Sequence, residues 1–439
     1  MKMNKTKKIA LISQGCAKNL VDSELILGLL AENGYEITLN ENDANTVIIN
    51  TCSFIHDAEK ESVDSILEMI NEGKKVIIAG CLAQKHGKEL KKAIPEISAL
   101  IGTSDFTKII EVLKNLEGGK EYIEEINNNP NYIYPEEIKR QQITVGSSSY
   151  LKIADGCNYR CGYCIIPFLR GDYHSRKIED IISEAKLLVK KGVTEIVLIA
   201  QDTTGYGLDL YKKPMLSELL KELNKIENLG WIRIMYAYPT QMTDELLDTI
   251  AQCDKVVKYV DIPLQHSHPD MLKRMNRPAF DYRPMIENIR KKIPNVTIRT
   301  AFIVGYPGET EEEFEHLYNF VKDMKFNKMG VFEYSREKGT SSYSMKPQIS
   351  KKITHQRYKK LMELQQNISK EINENYIGKT IPCIIENFTD DGYVVARSQG
   401  DAPEVDGLVY IKTDEPVVPG DIENVKIISC DEYDLIGEI

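Results

Sequence analysis

Short apolar runs alternate with helical patterns through the first third of the chain. The runs Lys8–Ser13, Val47–Asn50 and Lys75–Ala79 predict three strands. Leucines recur on one face of Val21–Gly34, which predicts a helix ending at Gly34, and a second helix is predicted from about 57 to 71. Because continuously apolar strands need cover on both faces, the alternation predicts a parallel α/β sheet between helices.

A polar stretch separates this region from a second alternating series. Residues 127–148 hold two prolines and lead into serines, which is typical of a linker, so the first domain is predicted to span 1–126. From 149 to 375 the pattern predicts six strands, at 150–154, 195–200, 231–237, 259–262, 297–304 and 329–334. Helices are predicted between them, at 178–191, 215–227, 243–252, 269–292 and 310–324, and after them at 354–376. Six such units predict a partial (β/α)6 barrel that is open on one side.

The last segment, 376–439, follows a third pattern. Five short strands separated by Gly, Pro and Asp are predicted at 381–386, 392–397, 408–411, 421–428 and 434–437. Short strands at this spacing predict a small antiparallel β-barrel. The predicted fold class is therefore α/β, with an N-terminal parallel domain, a partial barrel and a C-terminal β-barrel.

Composition narrows the class of protein. Hydrophobic residues make up 42% of the 439 residues, enough for sizeable cores, and no apolar run has the length of a membrane span. No signal peptide is visible, so we expect a cytoplasmic protein. Nine cysteines, an odd number, are then unlike a disulfide framework. Cys253, Cys383 and Cys430 are isolated and are predicted to be small core residues.

The net charge of −10 resides in the last segment. Residues 376–439 hold four basic and fourteen acidic residues, and the rest of the chain is balanced. An acidic barrel repels phosphates, so direct nucleic-acid binding by this segment is disfavoured and a basic protein partner fits better. We expect Asp401, Glu404 and Asp406 to steer such a partner; the alternatives are a solvated acidic face without a partner and a turn that builds the small barrel.

Three cysteines fall within eight residues of the barrel segment. Cys157, Cys161 and Cys164 have the spacing C-x3-C-x2-C and directly follow the first barrel strand, at the mouth where barrel chemistry occurs. Three soft thiolates suit a [4Fe–4S] cluster and leave its fourth iron open to a ligand. The alternative is a zinc knuckle, but zinc takes four ligands and the nearest further candidate is His174.

Three other cysteines occupy matching places in the first domain. Cys16, Cys52 and Cys81 each follow one of its predicted strands. The carboxyl ends of parallel strands share one edge of a sheet, so these thiols are expected to converge there on a second three-cysteine cluster. Three unrelated core cysteines are the alternative.

With both cysteine sets placed, the chain resembles the radical S-adenosylmethionine (SAM) methylthiotransferases. The C-x3-C-x2-C stretch is similar to the radical SAM signature. The sequences around the three N-terminal cysteines resemble the family's N-terminal domain, and the tail resembles its TRAM domain. One branch modifies an adenosine of tRNA and reads Gly-Cys-Gln-Met-Asn at the first cysteine; the other modifies an aspartate of ribosomal protein uS12. Here Gly15–Glu24 reads Gly-Cys-Ala-Lys-Asn-Leu-Val-Asp-Ser-Glu, as in the ribosomal-protein branch.

The resemblance implies a cofactor set and a reaction. It implies two [4Fe–4S] clusters, SAM bound at the open iron beside the barrel cysteines, and sulfur held at the open iron of the N-terminal cluster. A radical derived from SAM would abstract hydrogen from the aspartate β-carbon, which then receives a methylthio group. The implied partners are uS12, free or in the small subunit, and an electron donor such as flavodoxin or ferredoxin. A tRNA enzyme and a non-catalytic iron–sulfur carrier remain alternatives.

Five further residues are candidate SAM contacts. Tyr163 precedes the last barrel cysteine, Gln201 and Asp202 end the second barrel strand, Gln265 ends the fourth, and Arg299 lies in the fifth. Position at a barrel mouth favours a binding role for them. Ordinary packing for Tyr163, and satisfaction of buried polar groups for Gln265 and Arg299, are the alternatives.

Overall fold

The described part of the chain covers nearly all of its predicted elements. The computed structural model describes residues 8–38, 40–131, 134, 140–143, 146–413 and 415–439. Part of the predicted linker, at 132–133, 135–139 and 144–145, lies outside the described residues. No helix in the described ranges combines the length and the apolar character that crossing a membrane requires.

The N-terminal unit is a parallel six-stranded sheet with helices on both faces. Its strands are β1 Lys8–Ser13, β2 Glu36–Thr38, β3 Thr46–Thr51, β4 Lys75–Gly80, β5 Ala99–Ile101 and β6 Ile123–Glu125, in the order β2-β1-β3-β4-β5-β6. Its helices are α1 Ala17–Glu32, α2 His56–Asn71, α3 Cys81–Ala93 and α4 Ile109–Glu117. The three predicted strands, now β1, β3 and β4, are confirmed. The other three have only three residues each, too few to show a period.

Helix α1 begins earlier than its apolar pattern predicts. It starts at Ala17 rather than Val21, and its polar residues Asn19, Asp22, Ser23 and Glu24 are all buried. Buried polar groups need partners. The partners of these side chains include residues of the sheet and of the half-barrel. The first turns of α1 therefore have no apolar stripe, and hydrophobic periodicity does not predict them.

The middle unit is a half-barrel of six parallel strands. Its strands are β7 Ser148–Lys152, β10 Glu195–Ile199, β11 Trp231–Ile234, β12 Tyr259–Asp261, β13 Thr297–Val304 and β14 Lys328–Glu333, with a short ladder of β8 Ala154–Asp155 and β9 His174–Ser175. The sheets β11-β10-β7 and β12-β13-β14 meet at a parallel bridge between Ile232 and Val256. The predicted partial barrel is confirmed.

Eight helices follow the strands of this half-barrel in the described residues. They are α5 Ile166–Arg170, α6 Ile178–Lys190, α7 Leu216–Asn224, α8 Asp244–Gln252, α9 Pro269–Arg274, α10 Arg283–Lys292 and α11 Glu311–Met324, followed by α12 Lys351–Glu374. The single helix predicted over 269–292 is wrong: it is two helices. Asn276 has a φ of 52°, and Pro278 disfavours the helical conformation before it, so the chain breaks there.

The C-terminal unit is a closed five-stranded barrel. Its strands are β15 Thr380–Phe388, β16 Val394–Ser398, β17 Val409–Lys412, β18 Ile422–Cys430 and β19 Leu435–Glu438, in the order β15-β16-β17-β19-β18. The predicted small barrel is confirmed, but not wholly antiparallel, because β17 and β19 pair in parallel. Cys383 lies in its core, Cys253 is buried in the half-barrel unit, and Cys430 is only half-buried.

Buried ion pairs join the C-terminal barrel to the half-barrel. Arg397 contacts Glu195 at 2.5 Å, and both side chains are buried. The segment between β16 and β17 adds two further pairs: Asp401 contacts Lys328 at 2.6 Å, and Asp406 contacts Arg299 at 3.4 Å. The expectation that Asp401 and Asp406 steer a partner is therefore wrong, because both carboxylates are buried and paired within the chain. Of the three acidic residues proposed for steering, only Glu404 is exposed.

Candidate functional site

The three N-terminal thiols lie together at one edge of the sheet. Cys16 caps the N-terminus of α1 after β1, Cys52 directly follows β3, and Cys81 is the first residue of α3 after β4. These three strands are neighbours, which brings the thiols close to one another. Burial, together with the nearby Cys16 and Cys52, raises the pKa of Cys81 to about 12 although Arg170 lowers it. The three thiols therefore converge at one edge of the sheet, as the positions of the strand ends predict.

Glycines with left-handed backbone set up this edge. Gly15, before Cys16, has a φ of 92°, and a Cβ there would lie 2.7 Å from the Cβ of Cys52. Gly80, before Cys81, has a φ of 88°, and its Cβ would lie 2.3 Å from Oδ1 of Asn50. Only glycine lets each strand turn sharply into its helix while the neighbouring backbone stays this near.

Cations and helix ends make this edge favourable for anionic ligands. Desolvation alone would raise the pKa of Cys16, but Lys18, Arg170 and backbone N–H groups at the start of α1 together place it below its usual range. Two of the three cysteines lie at helix N-termini, where the helix dipole favours negative charge. Thiolates, the form that binds iron, are thereby stabilised.

The barrel thiols occupy the loop between β8 and α5. Cys157, Cys161 and Cys164 are each half-buried. Burial and the nearby Cys161 thiolate raise the pKa of Cys157 to about 11, and burial is also the largest cause that raises the pKa of Cys164 to about 12. Asn276, in the break between α9 and α10, donates to the carbonyls of Tyr159 and Arg160 inside this loop. The loop is thus held in place by another part of the barrel.

Both cysteine sets lie next to α5. Cys81 packs against Ile165 and Leu169, and Ile165 directly follows Cys164. Arg170, at the end of α5, donates to Oδ1 of Asn19 at 2.6 Å on the N-terminal unit. Sequence reasoning assigned the two sets to different domains, whereas the fold brings them to one cleft.

A buried polar network runs through this interface. Arg170 contacts Asp22 at 3.1 Å and Asp155 at 2.8 Å, and Lys152 contacts the same two carboxylates at 2.5 and 2.8 Å. Burial would raise the pKa of Asp155, but Arg170 and Lys152 hold it well below its usual range. Asp155 also accepts from the side-chain amide of Gln201 at 2.7 Å. The network therefore connects α1 of the first unit to the barrel mouth.

Gln201 has an unused acceptor at this mouth. Its Oε1 atom is buried and accepts no hydrogen bond among the described residues, and the same holds for Oγ1 of Thr203. Buried polar atoms in folded proteins are normally paired, so an orphaned pair beside a candidate site indicates a missing ligand. This fits the predicted role of Gln201 in holding SAM.

The other predicted SAM contacts have partners within the chain. Asp202 accepts from Tyr159 Oη at 2.9 Å, and also from Thr204 and the amide of Gly205. Arg299 faces Asp261 and Asp406. Asp202 therefore holds the strand-end loop in place, and Arg299 reaches the C-terminal barrel.

Tyr163 and Gln265 border the mouth in different ways. Tyr163 packs beside a buried group of Met271, Met275 and Tyr306. Gln265 is half-buried with a φ of 72°, and its backbone bridges to β13. The side chain of Gln265 forms no hydrogen bond in the described ranges, which leaves it free for a ligand.

Sequence reasoning missed two cationic residues near the thiols. Arg277 lies with its Nη1 4.0 Å from Sγ of Cys161, donates to the carbonyl of Pro263 and stacks over Tyr238. Lys18 lies over the ring of Tyr236 at 3.3 Å. Arg277 is more than a hundred positions from the cysteines and belongs to no local motif, so no signal in the sequence points to it.

Neither thiol set surrounds a single point. Among the described residues, no three His, Cys, Asp or Glu side chains are placed to hold one metal ion. A zinc site requires ligands about 2.0–2.3 Å from a common centre. A four-iron cluster binds each thiolate through a different iron, so its ligands stand further apart.

Three family models match consecutive parts of the chain. Residues 8–102 match the uncharacterized protein family UPF0004, residues 151–321 match the radical SAM superfamily, and residues 377–439 match the TRAM domain. The matches follow the N-terminal sheet, the half-barrel and the closed barrel in order. The predicted boundaries at 126, 148 and 375 are not tested by these matches and remain predictions.

Solved structures share the fold of most of this chain. The radical SAM methyltransferase TsrM from Kitasatospora setae, solved with cobalamin and a [4Fe–4S] cluster, aligns with a TM-score of 0.57 at 13% identity, over 77% of each chain. The cobalamin-dependent SAM radical enzyme OxsB aligns with a TM-score of 0.51 at 12% identity, over 83% of this chain and 56% of that one. At these identities the likeness concerns the fold alone.

Curated relatives match along essentially the full length. Ribosomal protein uS12 methylthiotransferase RimO of Thermoanaerobacter sp. (strain X514) is 51% identical over 438 residues, covering 98% of this chain and 100% of the relative. The protein of the same name from Prochlorococcus marinus (strain AS9601) is 46% identical over 445 residues, covering 100% and 98%. The chain therefore belongs to the RimO family of methylthiotransferases, which are radical SAM enzymes that use [4Fe–4S] clusters and SAM.

Proposed function

We propose that this chain adds a methylthio group to the β-carbon of an aspartate in ribosomal protein uS12. The observation that carries the proposal is that both cysteine sets adjoin α5. Cys81 touches Ile165, the residue after Cys164. A radical formed at one set and sulfur held at the other can therefore act on one bound side chain, as a methylthio transfer requires.

Cys157, Cys161 and Cys164 would hold the cluster that binds SAM. Three thiolates leave one iron open, and that cluster supplies the electron for the homolytic cleavage of SAM. Gln201 would accept a hydrogen bond from the amino group of SAM through its orphaned Oε1, while Asp155 holds its amide. Tyr163 and Gln265 would border the same ligand.

Cys16, Cys52 and Cys81 would hold the second cluster and, at its open iron, the sulfur. Lys18, Arg170 and the helix N-termini beside these thiols offset the negative charge that three thiolates bring. The low dielectric of the interface strengthens this compensation. The buried contact of Cys81 with α5 also keeps water from this side of the cleft.

The partner would be a basic ribosomal protein, modified in the cytoplasm. The C-terminal unit carries a net charge of −10, which favours a cationic partner and opposes tRNA. Exposed acidic residues such as Glu404 would steer the encounter. Flavodoxin or ferredoxin would supply the electron.

Anaerobic reconstitution tests the substrate assignment. The chain is supplied with iron, sulfide, SAM and a reductant, offered uS12 and bulk tRNA in separate reactions, and both are analysed by mass spectrometry. We expect a methylthio group on one aspartate of uS12 and none on tRNA. The matched control is uS12 with that aspartate changed to asparagine. Modification of tRNA adenosine with unmodified uS12 would contradict the proposal.

A further inference from the structure

Lys18 is a largely buried cation that pairs with no carboxylate among the described residues. Its side chain lies over the ring of Tyr236, with Nζ 3.3 Å from the ring centroid, and the residue is only 8% exposed. No carboxylate, carbonyl or hydroxyl in the described part of the chain accepts a hydrogen bond from its ammonium. The aromatic face and the nearby Cys16 thiol leave the N–H donors of this ammonium unused, so they can serve a ligand.

The two other buried lysines of this interface are fully paired. Lys152 contacts Asp22 and Asp155, and Lys85 contacts Glu59 at 2.7 Å and Glu337 at 3.0 Å. Each has two carboxylates, as buried ammonium groups require. Lys18 therefore differs from Lys85 and Lys152, because it pairs with no carboxylate of the described residues.

The ammonium lies between the N-terminal thiols and the barrel mouth. Lys18 is two residues from Cys16 in the first turn of α1. Tyr236 follows β11 at the carboxyl end of the barrel, with a φ of 63°, and its carbonyl accepts from the amide of Thr203. Non-glycine residues held in this backbone region cluster at functional sites. Nζ of Lys18 therefore lies where the N-terminal unit meets the carboxyl end of the half-barrel, beside the N-terminal thiols.

The chemistry of the proposed substrate supplies the missing anion. The β-carbon of an aspartate is bonded directly to its carboxyl carbon, so both reach the cleft together. To receive sulfur held beside Cys16, the β-carbon must come within about 3–3.5 Å of it. A cluster with three thiolate ligands repels a carboxylate, and an ammonium at that point offsets the repulsion.

We infer that Lys18 binds the side-chain carboxylate of the aspartate that is modified. The inference rests on the proposed function, since it takes uS12 as the substrate. Lys18 would then select for an acidic side chain and orient its β-carbon, and Tyr236 would hold the ammonium in place. It is a specificity-determining contact with the substrate.

A double-mutant cycle on binding tests this contact without turnover. Two labelled peptides of uS12, carrying Asp or Asn at the target position, are titrated anaerobically into cluster-loaded protein with SAM and no reductant. In the wild type we expect tighter binding of the Asp peptide. Lys18→Met should weaken the Asp peptide about tenfold or more and the Asn peptide less than about twofold, as for a charge-assisted hydrogen bond. Lys85→Met is the matched control and should change both peptides by one common factor.

Each outcome has a distinct meaning. Equal weakening of the two peptides by Lys18→Met would mean that Lys18 only packs on Tyr236, and the inference would fall. Lys18→Gln keeps an N–H donor but not the charge, so it serves if the methionine variant folds poorly, and it should also lose the preference for Asp. Iron and sulfide analysis of each variant separates a lost cluster from a lost contact. If the wild type neither binds nor modifies either peptide, the proposed function fails, whatever Lys18 does.

Discussion

Replacing Arg170 by methionine should destabilise the protein by about 3–5 kcal/mol, the usual cost of removing one partner from a buried ion pair. The guanidinium is 2% exposed and contacts Asp22 at 3.1 Å and Asp155 at 2.8 Å, whose side chains are 7% and 0% exposed. Without it, both carboxylates lose a buried cation and keep the ammonium of Lys152. Oδ1 of Asn19 also loses its donor. The protein would then bury excess negative charge beside the N-terminal thiols.

Arg160→Met is the matched control. Arg160 contacts Asp172 at 2.7 Å in the neighbouring loop, but the two side chains are 56% and 68% exposed. An exposed pair contributes about 0–1 kcal/mol, because water and salt screen it. The two variants remove the same group from pairs of nearly equal length, so their difference isolates the effect of burial.

Urea unfolding of the anaerobic protein measures both costs. Trp231 is the only tryptophan and is buried in the half-barrel, so its fluorescence reports on the unfolding of that unit. We expect a much lower urea midpoint for Arg170→Met and almost no shift for Arg160→Met, with similar slopes. If Arg170→Met cost less than about 1 kcal/mol, Arg170 would not hold the two units together as its contacts indicate.

Three further predictions address the clusters and the C-terminal barrel. Cys161→Ala should halve the iron content from about eight atoms per chain and abolish SAM cleavage, whereas Cys52→Ala should halve the iron content and still release 5′-deoxyadenosine without a methylthio product. Iron analysis and chromatography measure these changes. Intact methylthiolation by Cys52→Ala would contradict the N-terminal cluster. Asp406→Asn should lower the unfolding free energy by about 1–3 kcal/mol, because it weakens buried contacts. Glu404→Gln, at an exposed position, should change the unfolding free energy by less than about 0.5 kcal/mol and slow uS12 modification only at low salt. Urea titrations and initial rates at two ionic strengths distinguish the two roles. Burial would raise the pKa of Glu195, but Arg233 and Arg397 hold it at about 2, so the stabilisation from this carboxylate is complete above its ordinary pKa of 4.5 and is lost as the pH falls towards 2. Glu195→Gln should therefore be less stable at pH 7, and its unfolding free energy should change less with pH between 4.5 and 2. Parallel curves of unfolding free energy against pH for both proteins would contradict the assignment.

The sequence by itself determined the architecture and the convergence of the N-terminal cysteines. Strands that are apolar on both faces, such as Val47–Asn50 and Lys75–Ala79, predicted the parallel sheet, because only helices on both sides can bury them. Parallel strands end at one edge, so the positions of Cys16, Cys52 and Cys81 predicted their convergence before any coordinates. These are local or periodic signals, and they carried over directly into the fold.

The tertiary structure alone decided how the units meet. Asp406 appeared to be a surface charge, yet it pairs with Arg299, more than a hundred positions away. Arg170 and Asp22 likewise join different units, and the start of α1 was missed because its polar residues are buried in that contact. Lys18 packs on Tyr236, and no spacing in the sequence relates these two residues. Pairings between remote residues have no period along the chain, because complementary charge and shape fix them only once the units have packed.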